Sequence, residues 1–417
     1  MDSPWFEGRD PGAIPLAEFD MASPALYPHQ LHWPFFERLR AEDPVHYCEK
    51  SAVGPYWSVT KYKDILEVDS NHKAFTSVAA TSLEQQNLIG VDENSVQAGG
   101  FIVTDPPLHD EQRKIFSPAL APGNLATFEA LIRERARQTL TALPIGEEFD
   151  WVERVSIELT SMMLATMFGY PIEERSQLKY WSDVVAGTPG DGIVESWEQR
   201  DQELKNFAAR FVALREERRH QEPQTDLISI LVHSPLGSQM SDVEFVSNAI
   251  LLLVGGNDTT RNTMSGGLLA LHNDPEQWAK LKANPALVAT MVPETIRYQT
   301  PVMYQGRIAT QDYGLGGKTI RKGDKVAMWY ISGNRDTDAI ADPDRFIIDR
   351  PNPRQHLSFG FGVHRCLGNR LAEMQLRVLW EEIMARNWAR IEVTKPVKYA
   401  YSSMFRAINK MTVRIHA

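Results

Sequence analysis

The stretch "HLSFGFGVHRCLGNRLAEMQ", residues 356–375, contains one of the two cysteines in a chain of 417 residues. This cysteine, Cys366, directly follows His364 and Arg365, and a helix-like pattern begins near Leu367. Three glycines flank it, namely Gly360, Gly362 and Gly368. The positive end of a helix and nearby basic side chains stabilise a thiolate and lower the pKa of the thiol. Because glycines also let the backbone come close to a large ligand, the stretch predicts a thiolate that binds a flat cofactor.

Other interpretations of this cysteine are less consistent with its surroundings. A buried, inert cysteine is common at the start of a helix, but the full spacing Phe359-x-x-Gly362-x-His364-x-Cys366-x-Gly368 makes a ligand-binding loop the better interpretation. A structural zinc site needs four ligands, and no CxxC or HxxxH pair completes one. A catalytic nucleophile has no evident base here, although spacing alone leaves that possibility open.

Composition and charge narrow the class of protein. Hydrophobic residues make up 43% and charged residues 24% of the chain, which are globular values. The net charge of −10, from 44 basic and 54 acidic residues, argues against binding to nucleic acid or anionic lipid. Two cysteines suit a reducing cytoplasm, the N-terminus lacks a signal-peptide pattern, and the longest strongly apolar run, residues 249–254, is too short to cross a bilayer. We expect a cytoplasmic protein without a membrane anchor.

Apolar periodicity predicts a mainly α protein with a small β-rich region. No linker is evident in the sequence, and we expect one domain, residues 1–417. The β-rich region comes mainly from about 45–60, 300–330 and 390–417, and in the second of these segments apolar residues alternate between glycine turns. Loops that could shape an entrance are expected at 77–101 and 186–197. The principal helices are expected at 35–41, 124–143, 154–169, 199–221 and 241–273, and shorter ones begin near Trp278, Ala289 and Asn369. A capping box is predicted at Ser241 to Glu244.

The cysteine loop resembles the haem-binding loop of the cytochrome P450 monooxygenases, whose pattern is F-x-x-G-x-[R/H]-x-C-x-G. The resemblance implies the cytochrome P450 fold, haem b as the cofactor and residues 359–368 as the haem loop. It further implies that Cys366 is the axial ligand of the iron. Phe359, His364 and Gly368 would lie against the cofactor.

A second motif, GGNDTT, occupies residues 255–260 within the long apolar helix. Each glycine costs about 1 kcal/mol relative to alanine in a helix, and Asp and Thr side chains compete for backbone hydrogen bonds. One alternative is a helix that ends at Gly255 and another capped at Asp258, but the apolar pattern on both sides favours a single interrupted helix. The motif resembles [A/G]-G-x-[D/E]-T of the same family. By that resemblance, Thr259 would hydrogen-bond the oxygen and Asp258 would relay protons.

A third motif, Glu294-x-x-Arg297, is weak alone because such ion pairs are frequent on helix surfaces. The motif gains weight from its position in the chain. It is followed by a β segment, then by the sequence Asp-Pro-Asp-Arg-Phe ending at Phe346, and then by the cysteine loop. By resemblance, Glu294, Arg297 and Arg345 form a buried structural network. Pro293 is unfavourable inside a helix and indicates a late helix start.

Haem carries two propionates, which require cationic partners. His109 and Arg113 are four residues apart and therefore face one side of a helix. Their surroundings, DPPLHDEQR, resemble the family pattern D-P-P-x-H-x-x-x-R. With Arg307 and His364 at the matching later positions, the resemblance implies four propionate ligands, although each could also be an ordinary surface charge.

The substrate is expected to be a small apolar molecule. The motif-bearing segments resemble the bacterial branch that hydroxylates terminal carbons of medium-chain alkanes. The sequence VMYQGR, residues 302–307, departs from that branch, so an alkane, a fatty acid, a terpene or another apolar molecule all remain open. Each pocket candidate taken singly could be a plain core residue. These candidates are Leu251, Val254, Gly255, Val302, Met303 and Phe405.

We expect a monomer. By resemblance, the protein would receive electrons from a 2Fe–2S ferredoxin and its NAD(P)H-dependent reductase. Five basic residues are predicted to attract an acidic ferredoxin, unless they form only a solvated face: Arg113, Lys114, Arg365, Arg370 and Arg377. A peroxide-driven enzyme of the same fold is a competing function, against which the retained Asp258 and Thr259 argue. A haem-based sensor or carrier that performs no oxidation, and a thiol hydrolase that uses Cys366, also compete with the monooxygenase interpretation.

Overall fold

The computed structural model of the chain describes residues 4–78, 80–84, 100–120, 122–187 and 193–417. Residues 79 and 85–99 of the first predicted entrance loop and residues 188–192 of the second lie outside the described residues. The chain forms two compact units. Unit 1 comprises 1–90, 289–366 and 397–409, and unit 2 comprises 91–288, 367–396 and 410–417. The single domain predicted from the sequence stays a prediction.

Helices dominate the fold, as the apolar periodicity predicts. Unit 1 contains α1 (Trp33–Glu42), α2 (Tyr62–Ser70), nearly all of α11 (Val288–Gln299) and α12 (Tyr330–Gly333). Unit 2 contains α3 (Leu108–Phe116), α4 (Pro122–Thr141), α5 (Glu158–Phe168), α6 (Arg175–Ala186), α7 (Trp197–Arg219), α8 (Leu227–His233), α9 (Asp242–Asn273), α10 (Pro275–Ala283) and α13 (Asn369–Ala385). Among the described helices, not one is both long and apolar enough to span a membrane.

The β-rich region is divided between the units. Its strands are β1 (Val45–Cys48), β2 (Tyr56–Val59), β3 (Phe75–Thr76), β4 (Glu148–Asp150), β5 (Gln305–Ala309), β6 (Tyr313–Leu315), β7 (Lys318–Ile320), β8 (Lys325–Met328), β9 (Arg390–Val393), β10 (Lys398–Tyr399), β11 (Ile408–Lys410) and β12 (Thr412–His416). In unit 1 a five-stranded sheet has the order β1-β2-β8-β5-β3, in which only β2 and β8 pair in parallel, and β6 pairs with β7. In unit 2 the order is β4-β12-β9. Strands β3 and β4 lie outside the predicted β segments, because two or three residues are too few to show an alternating pattern.

Helix α9 is continuous through the GGNDTT motif, so the alternative of a helix ending at Gly255 is wrong. The predicted single helix is confirmed, but without the interruption expected at the motif. At its start, Ser241 and Glu244 form the predicted capping box, with hydrogen bonds of 3.2 Å and 2.9 Å. The side chains of the motif do not compete with the helix. Thr259 Oγ1 donates to the carbonyl of Gly255 at 3.0 Å, four residues earlier, and thus leaves the backbone ladder intact.

Helix α11 begins at Val288, one residue from the predicted start near Ala289, but the late start that Pro293 indicates is wrong, because the proline lies in the helix interior. The proline removes one backbone donor and would normally break or kink a helix. Its neighbours are deeply buried, however, with Val292 at 3% and Glu294 at 0% exposure. Burial of this face, together with the ion pair between Glu294 and Arg297, offsets the missing hydrogen bond.

Candidate functional site

The cysteine loop in unit 1 is a compact turn closed by its own backbone. The N–H of Cys366 donates to the carbonyl of Phe359 at 2.8 Å, and the thiol of Cys366 is exposed. Cys48 is buried in strand β1, and burial raises the pKa of its thiol to about 12. Cys366 is therefore the cysteine that can present sulfur to a ligand.

The three glycines of this loop have different roles. Gly360 and Gly362 have φ values of +65° and +64°, which L side chains rarely adopt. A Cβ on Gly362 would lie 2.7 Å from the carbonyl oxygen of Asp69. By contrast, Gly368 has a φ of −86°, and no heavy atom of the described residues lies within 4 Å of its Cβ position. The fold itself requires the first two glycines, whereas Gly368 leaves open space beside the loop.

A buried carboxylate that no sequence motif indicates packs against this loop. Asp69, in the last turn of α2, is 2% exposed. Its Oδ2 accepts hydrogen bonds from the N–H of Phe361 at 2.7 Å and the hydroxyl of Tyr330 at 2.9 Å. Its Oδ1 accepts from Nη2 of Arg307 at 2.8 Å. Arg307, a predicted propionate ligand, is thus held by a carboxylate of the protein itself.

The Glu294-x-x-Arg297 motif forms a fully buried ion pair in unit 1. Nε and Nη2 of Arg297 donate to the two carboxylate oxygens of Glu294 at 2.7 Å and 2.8 Å. Nε of Arg350 also donates to Glu294, at 2.9 Å. The predicted third member, Arg345, has an exposed side chain, and only its carbonyl accepts from Arg297 and Arg350. The prediction of the Arg345 side chain is therefore corrected to Arg350. The two arginines lie five positions apart in a loop, and only the fold shows which one turns inward.

His356, ten residues before the cysteine, is another buried group that no sequence motif indicates. It is 5% exposed, and its Nδ1 accepts a hydrogen bond from the N–H of Ser358 at 3.3 Å. Burial lowers the pKa of His356 to about 3, and the nearby charge of Arg297 contributes to this shift. His356 is therefore a neutral imidazole at physiological pH.

In unit 2, Asp258 is buried in a polar cluster between α9 and α6. Its carboxylate is 3.1 Å from Nη2 of Arg261 and accepts hydrogen bonds from Ser182 at 3.2 Å and Asn257 at 3.3 Å. Burial raises the pKa of Asp258, and the charge of Arg261 opposes that rise. The carboxyl can therefore hold a proton more readily than an exposed aspartate.

The cluster continues from Asp258 toward solvent. Nη1 of Arg261 lies 3.1 Å from Asp183 in α6, and Asp183 lies 2.7 Å from Nζ of Lys179. The side chain of Lys179 is 32% exposed, whereas that of Asp183 is 6% exposed. Alternating charges thus link the buried Asp258 to the surface, an arrangement that spacing along the sequence did not indicate.

One face of α9 is exposed although the helix is mostly buried. Eighteen of its 32 residues are buried, yet Gly255 is exposed and Leu251 and Thr259 are half-buried. These three residues are four apart and share one face. A Cβ on Gly255 would meet no heavy atom of the described chain within 4 Å. This face combines apolar surface with the hydroxyl of Thr259 and suits a large ligand.

The structure places the predicted propionate ligands in both units. His109 and Arg113 lie four residues apart on α3 of unit 2. His109 is 1% exposed with its Nδ1 2.8 Å from Asp110, and Arg113 is half-buried. In unit 1, Arg307 is 3% exposed and His364 is half-buried.

The pocket candidates of unit 1 divide into two kinds. Val302 and Phe405 are half-buried and form an isolated antiparallel bridge. Met303 is fully buried in a hydrophobic cluster with Tyr304 and Trp329, which favours a core role for its side chain. Of the unit 2 candidates, Leu251 and Val254 are half-buried and Gly255 is exposed.

The predicted docking residues also differ among themselves. Arg377 lies 2.7 Å from Glu129 and 2.9 Å from Glu381, within a network that joins α13 to α4. Its charge therefore serves this network. The side chains of Lys114, Arg365 and Arg370 are exposed.

The cysteine loop of unit 1 fits a haem by the chemistry of its donors. An exposed thiol, open space at the position of Gly368 and basic side chains on the loop are what an iron porphyrin with propionates requires. In unit 2, the exposed face of α9 presents an apolar surface with a hydroxyl, and Asp258 directly precedes Thr259 in the chain. Among the described residues, no group of three or more His, Cys, Asp or Glu side chains could hold a bare metal ion.

Comparisons with known proteins agree with this fit. The family model described as Cytochrome P450 matches residues 191–396. Linalool 8-monooxygenase of Pseudomonas putida is 35% identical over 400 residues, which cover 94% of this chain and 98% of that protein. Methyl-branched lipid omega-hydroxylase of Mycobacterium tuberculosis is 32% identical and covers 90% of each chain. The solved structure of CYP153D17 from Sphingomonas sp. superposes with a TM-score of 0.90 at 40% identity, covering 97% of this chain and 100% of that one.

Proposed function

The chain belongs to the cytochrome P450 family of haem-thiolate monooxygenases, and on that premise we propose that it hydroxylates the terminal methyl group of medium-chain aliphatic molecules, either alkanes or fatty acids. The observation that carries the proposal is the exposed thiol of Cys366 in a loop with open space at Gly368. The substrate class is supported by the resemblance of the motif-bearing segments to alkane hydroxylases. The name of one relative, an omega-hydroxylase of methyl-branched lipids, adds to this support.

Haem b, the cofactor of the family, activates O₂ when a thiolate holds its iron, so that one oxygen atom enters a C–H bond and the other leaves as water. Cys366 would supply the thiolate. His109, Arg113, Arg307 and His364 would bind the propionates through charge-assisted hydrogen bonds. Phe359 and Gly368 would contact the porphyrin.

Proton delivery is assigned to Asp258 and Thr259. Reduction of one oxygen atom to water consumes two protons, and the buried Asp258 can hold a proton on its carboxyl because burial raises its pKa. The cluster of Arg261, Asp183 and Lys179 connects this carboxyl to the surface. The hydroxyl of Thr259 now donates to Gly255, and rotation about its Cα–Cβ bond would let it donate to oxygen instead.

Selectivity for a chain end would come from shape. Leu251 and Val254 in unit 2, and Val302 and Phe405 in unit 1, are the candidates for substrate contact. One methylene changes binding to an apolar site by only about 1–3 kcal/mol. Attack at a terminal carbon therefore requires that the chain be held end-on rather than merely bound.

The test is a panel of ligands scored by the low-to-high-spin shift of the purified haem protein, followed by product analysis with a 2Fe–2S ferredoxin, its reductase and NAD(P)H. We expect the largest shifts with alkanes or fatty acids of medium length, and terminal alcohols as products. Shifts confined to cyclic terpenes or steroids would refute the aliphatic assignment. Turnover with peroxide but none with the electron-transfer proteins would favour the peroxide-driven alternative.

A terpene alcohol is a second candidate substrate, favoured by the relative named linalool 8-monooxygenase. Linalool is acyclic and methyl-branched, so the two candidates differ in branching rather than in ring structure. Straight and methyl-branched chains of equal carbon number, compared at equal concentration, separate them. A preference for the branched member would favour the terpene alcohol.

A further inference from the structure

Asp69 occupies a position that is unfavourable for a carboxylate. It lies in the last turn of α2, where the helix dipole disfavours negative charge. It is also 2% exposed, and burial raises the pKa of its carboxyl. A carboxylate in such a place persists only where strong donors satisfy it.

Three donors from three separate segments satisfy this carboxylate. They are the guanidinium of Arg307 in β5, the hydroxyl of Tyr330 in α12 and the N–H of Phe361 in the cysteine loop, at 2.8, 2.9 and 2.7 Å respectively. Two of the donors belong to the proposed haem site, because Arg307 is a propionate candidate and Phe361 precedes Cys366 in the same turn.

The backbone of the loop is also packed directly on Asp69. A Cβ on Gly362 would meet the carbonyl oxygen of Asp69 at 2.7 Å, and a Cβ on Gly360 would meet its Oδ2 at 3.2 Å. The loop therefore cannot shift without breaking its contact with α2. The guanidinium of Arg307 is fixed in the same way, since Nη1 donates to the carbonyl of Gly306 at 2.7 Å while Nη2 donates to Asp69.

We propose that Asp69 is a positioning residue of the haem site, which holds the cysteine loop and Arg307 together and whose negative charge keeps the reduction potential of the iron low. This inference rests on the proposed function, because it assumes that Cys366 and Arg307 hold the haem. Removing the negative charge of Asp69 makes the surroundings of Arg307 more positive by one charge. In a medium of low dielectric constant, that change favours the added electron and raises the potential.

The experiment is a spectroelectrochemical titration of the haem protein, restricted to the fraction that shows the carbonyl difference band of the thiolate form. Asp69→Asn keeps the size of the side chain and its capacity to accept hydrogen bonds from Phe361 and Tyr330, but it loses the charge. We expect the potential to rise in Asp69→Asn, to fall in Arg307→Gln, and to lie near that of the wild type in the charge-neutral double variant. Tyr330→Phe is the control, because it deletes one hydrogen bond to the same carboxylate without changing charge, and its potential should stay at the wild-type value.

The sign pattern separates the two possible roles of Asp69. A merely structural role predicts that both single variants lose the thiolate band together and that the double variant loses it further. An unchanged potential in Asp69→Asn, or a shift in the same direction as in Arg307→Gln, would overturn the proposal. If Asp69→Asn does not fold, the other two variants still test the proposal. The reduction potential should fall in Arg307→Gln and return toward the wild-type value in the double variant. A wild-type protein that never shows the thiolate band would instead refute the proposed function.

Discussion

Cys366 and Cys48 have opposite surroundings, and this difference makes the cysteine assignment testable. Replacement of Cys366 by serine exchanges the soft thiolate for a weaker ligand, so the carbonyl difference band of the thiolate form should disappear from the haem protein. Cys48→Ser is the matched control, because Cys48 is buried and its pKa is raised to about 12, which keeps it protonated. The carbonyl difference band should remain in the Cys48→Ser variant. Retention of the band in Cys366→Ser would contradict the ligand assignment.

His356 gives a prediction on the pH dependence of stability. Burial lowers its pKa to about 3 in the folded protein, whereas the ordinary value is 6.5. Between these values the unfolded chain binds a proton that the native protein does not, so the free energy of unfolding falls as pH decreases from about 6.5 toward 3. The limiting slope from this one group is about 1.4 kcal/mol per pH unit. Urea unfolding of wild type and His356→Asn from pH 7 to pH 4 should show a shallower decline in the variant, and parallel curves would contradict the prediction.

The residues of the site were accessible to sequence-based prediction to different degrees. Cys366 could be found because the residues from Phe359 to Gly368 carry a dense local pattern around it. Asp69 and Arg350 could not, because each acts through a partner more than 50 positions away, at Arg307 and Glu294 respectively. Buried ion pairs of this kind depend on which side chains the fold turns inward, and one-dimensional spacing does not contain that information.

The cysteine loop predicts unequal effects for two substitutions that look alike in the sequence. Gly362→Ala places a side chain at a left-handed φ, which costs roughly 1–2 kcal/mol, and at 2.7 Å from a backbone oxygen, which adds to that penalty. Gly368→Ala meets neither obstacle and, in the haem-free protein, should change the free energy of unfolding by less than about 0.5 kcal/mol. Denaturant unfolding of both variants, together with their haem content, measures the difference. Equal stability of the two variants would show that the left-handed turn is not required.

Helix α9 supplies a second matched pair. Thr259 and Thr263 both donate a hydroxyl hydrogen bond to the carbonyl four residues earlier, at 3.0 Å and 2.7 Å, but Thr263 is 3% exposed and Thr259 is half-buried. Loss of one hydrogen bond to the reacting oxygen costs about 1.5 kcal/mol, or about tenfold in productive turnover. We therefore expect Thr259→Ala to form about tenfold less product per NAD(P)H consumed, and Thr263→Ala to keep the wild-type ratio. A fall in both variants would indicate damage to the helix rather than to proton delivery.

In helix α9, the local sequence predicted some features of the structure but not others. The capping box and the apolar period predicted its start and its length, because both depend on neighbouring residues. The continuity through Gly255 and Gly256 depends instead on burial, since 18 of its residues are covered by other elements. Tertiary packing also keeps Pro293 inside α11, where the local rule predicts a boundary.

The distribution of charge over the molecule predicts how electrons are received. The chain is acidic, with a net charge of −10, yet Arg365 and Arg370 are exposed near the cysteine loop in the sequence. If they attract an acidic ferredoxin, their reversal to glutamate should lower ferredoxin-supported turnover by about tenfold or more at low salt, because electrostatic steering contributes about 10–10³ to association rates. Turnover driven by peroxide should not change. Equal ferredoxin-supported rates in wild type and variant would refute the docking prediction.

The fold class of the whole molecule could be predicted from the sequence, but its division into units could not. Helical dominance and a small β-rich region followed from periodicity and glycine turns over the whole chain. The separation into two units could not be predicted from the sequence. Unit 1 is assembled from three distant segments and depends on long-range pairing such as that of β2 with β8. The role of Arg377 could not be predicted from the sequence for the same reason, since its ion-pair partner Glu129 lies 248 positions away.

Glu294 carries a consequence for how this protein can change. Its single carboxylate satisfies two guanidiniums and also accepts the N–H of Ile347 at 2.9 Å. A neutral residue at this position would leave two interior cations without this counter-ion, whereas loss of either arginine alone would still leave Glu294 paired with the other. Glu294 is therefore the member of the triad that tolerates substitution least, so laboratory evolution that seeks new substrates should leave it invariant and find its gains elsewhere in the chain.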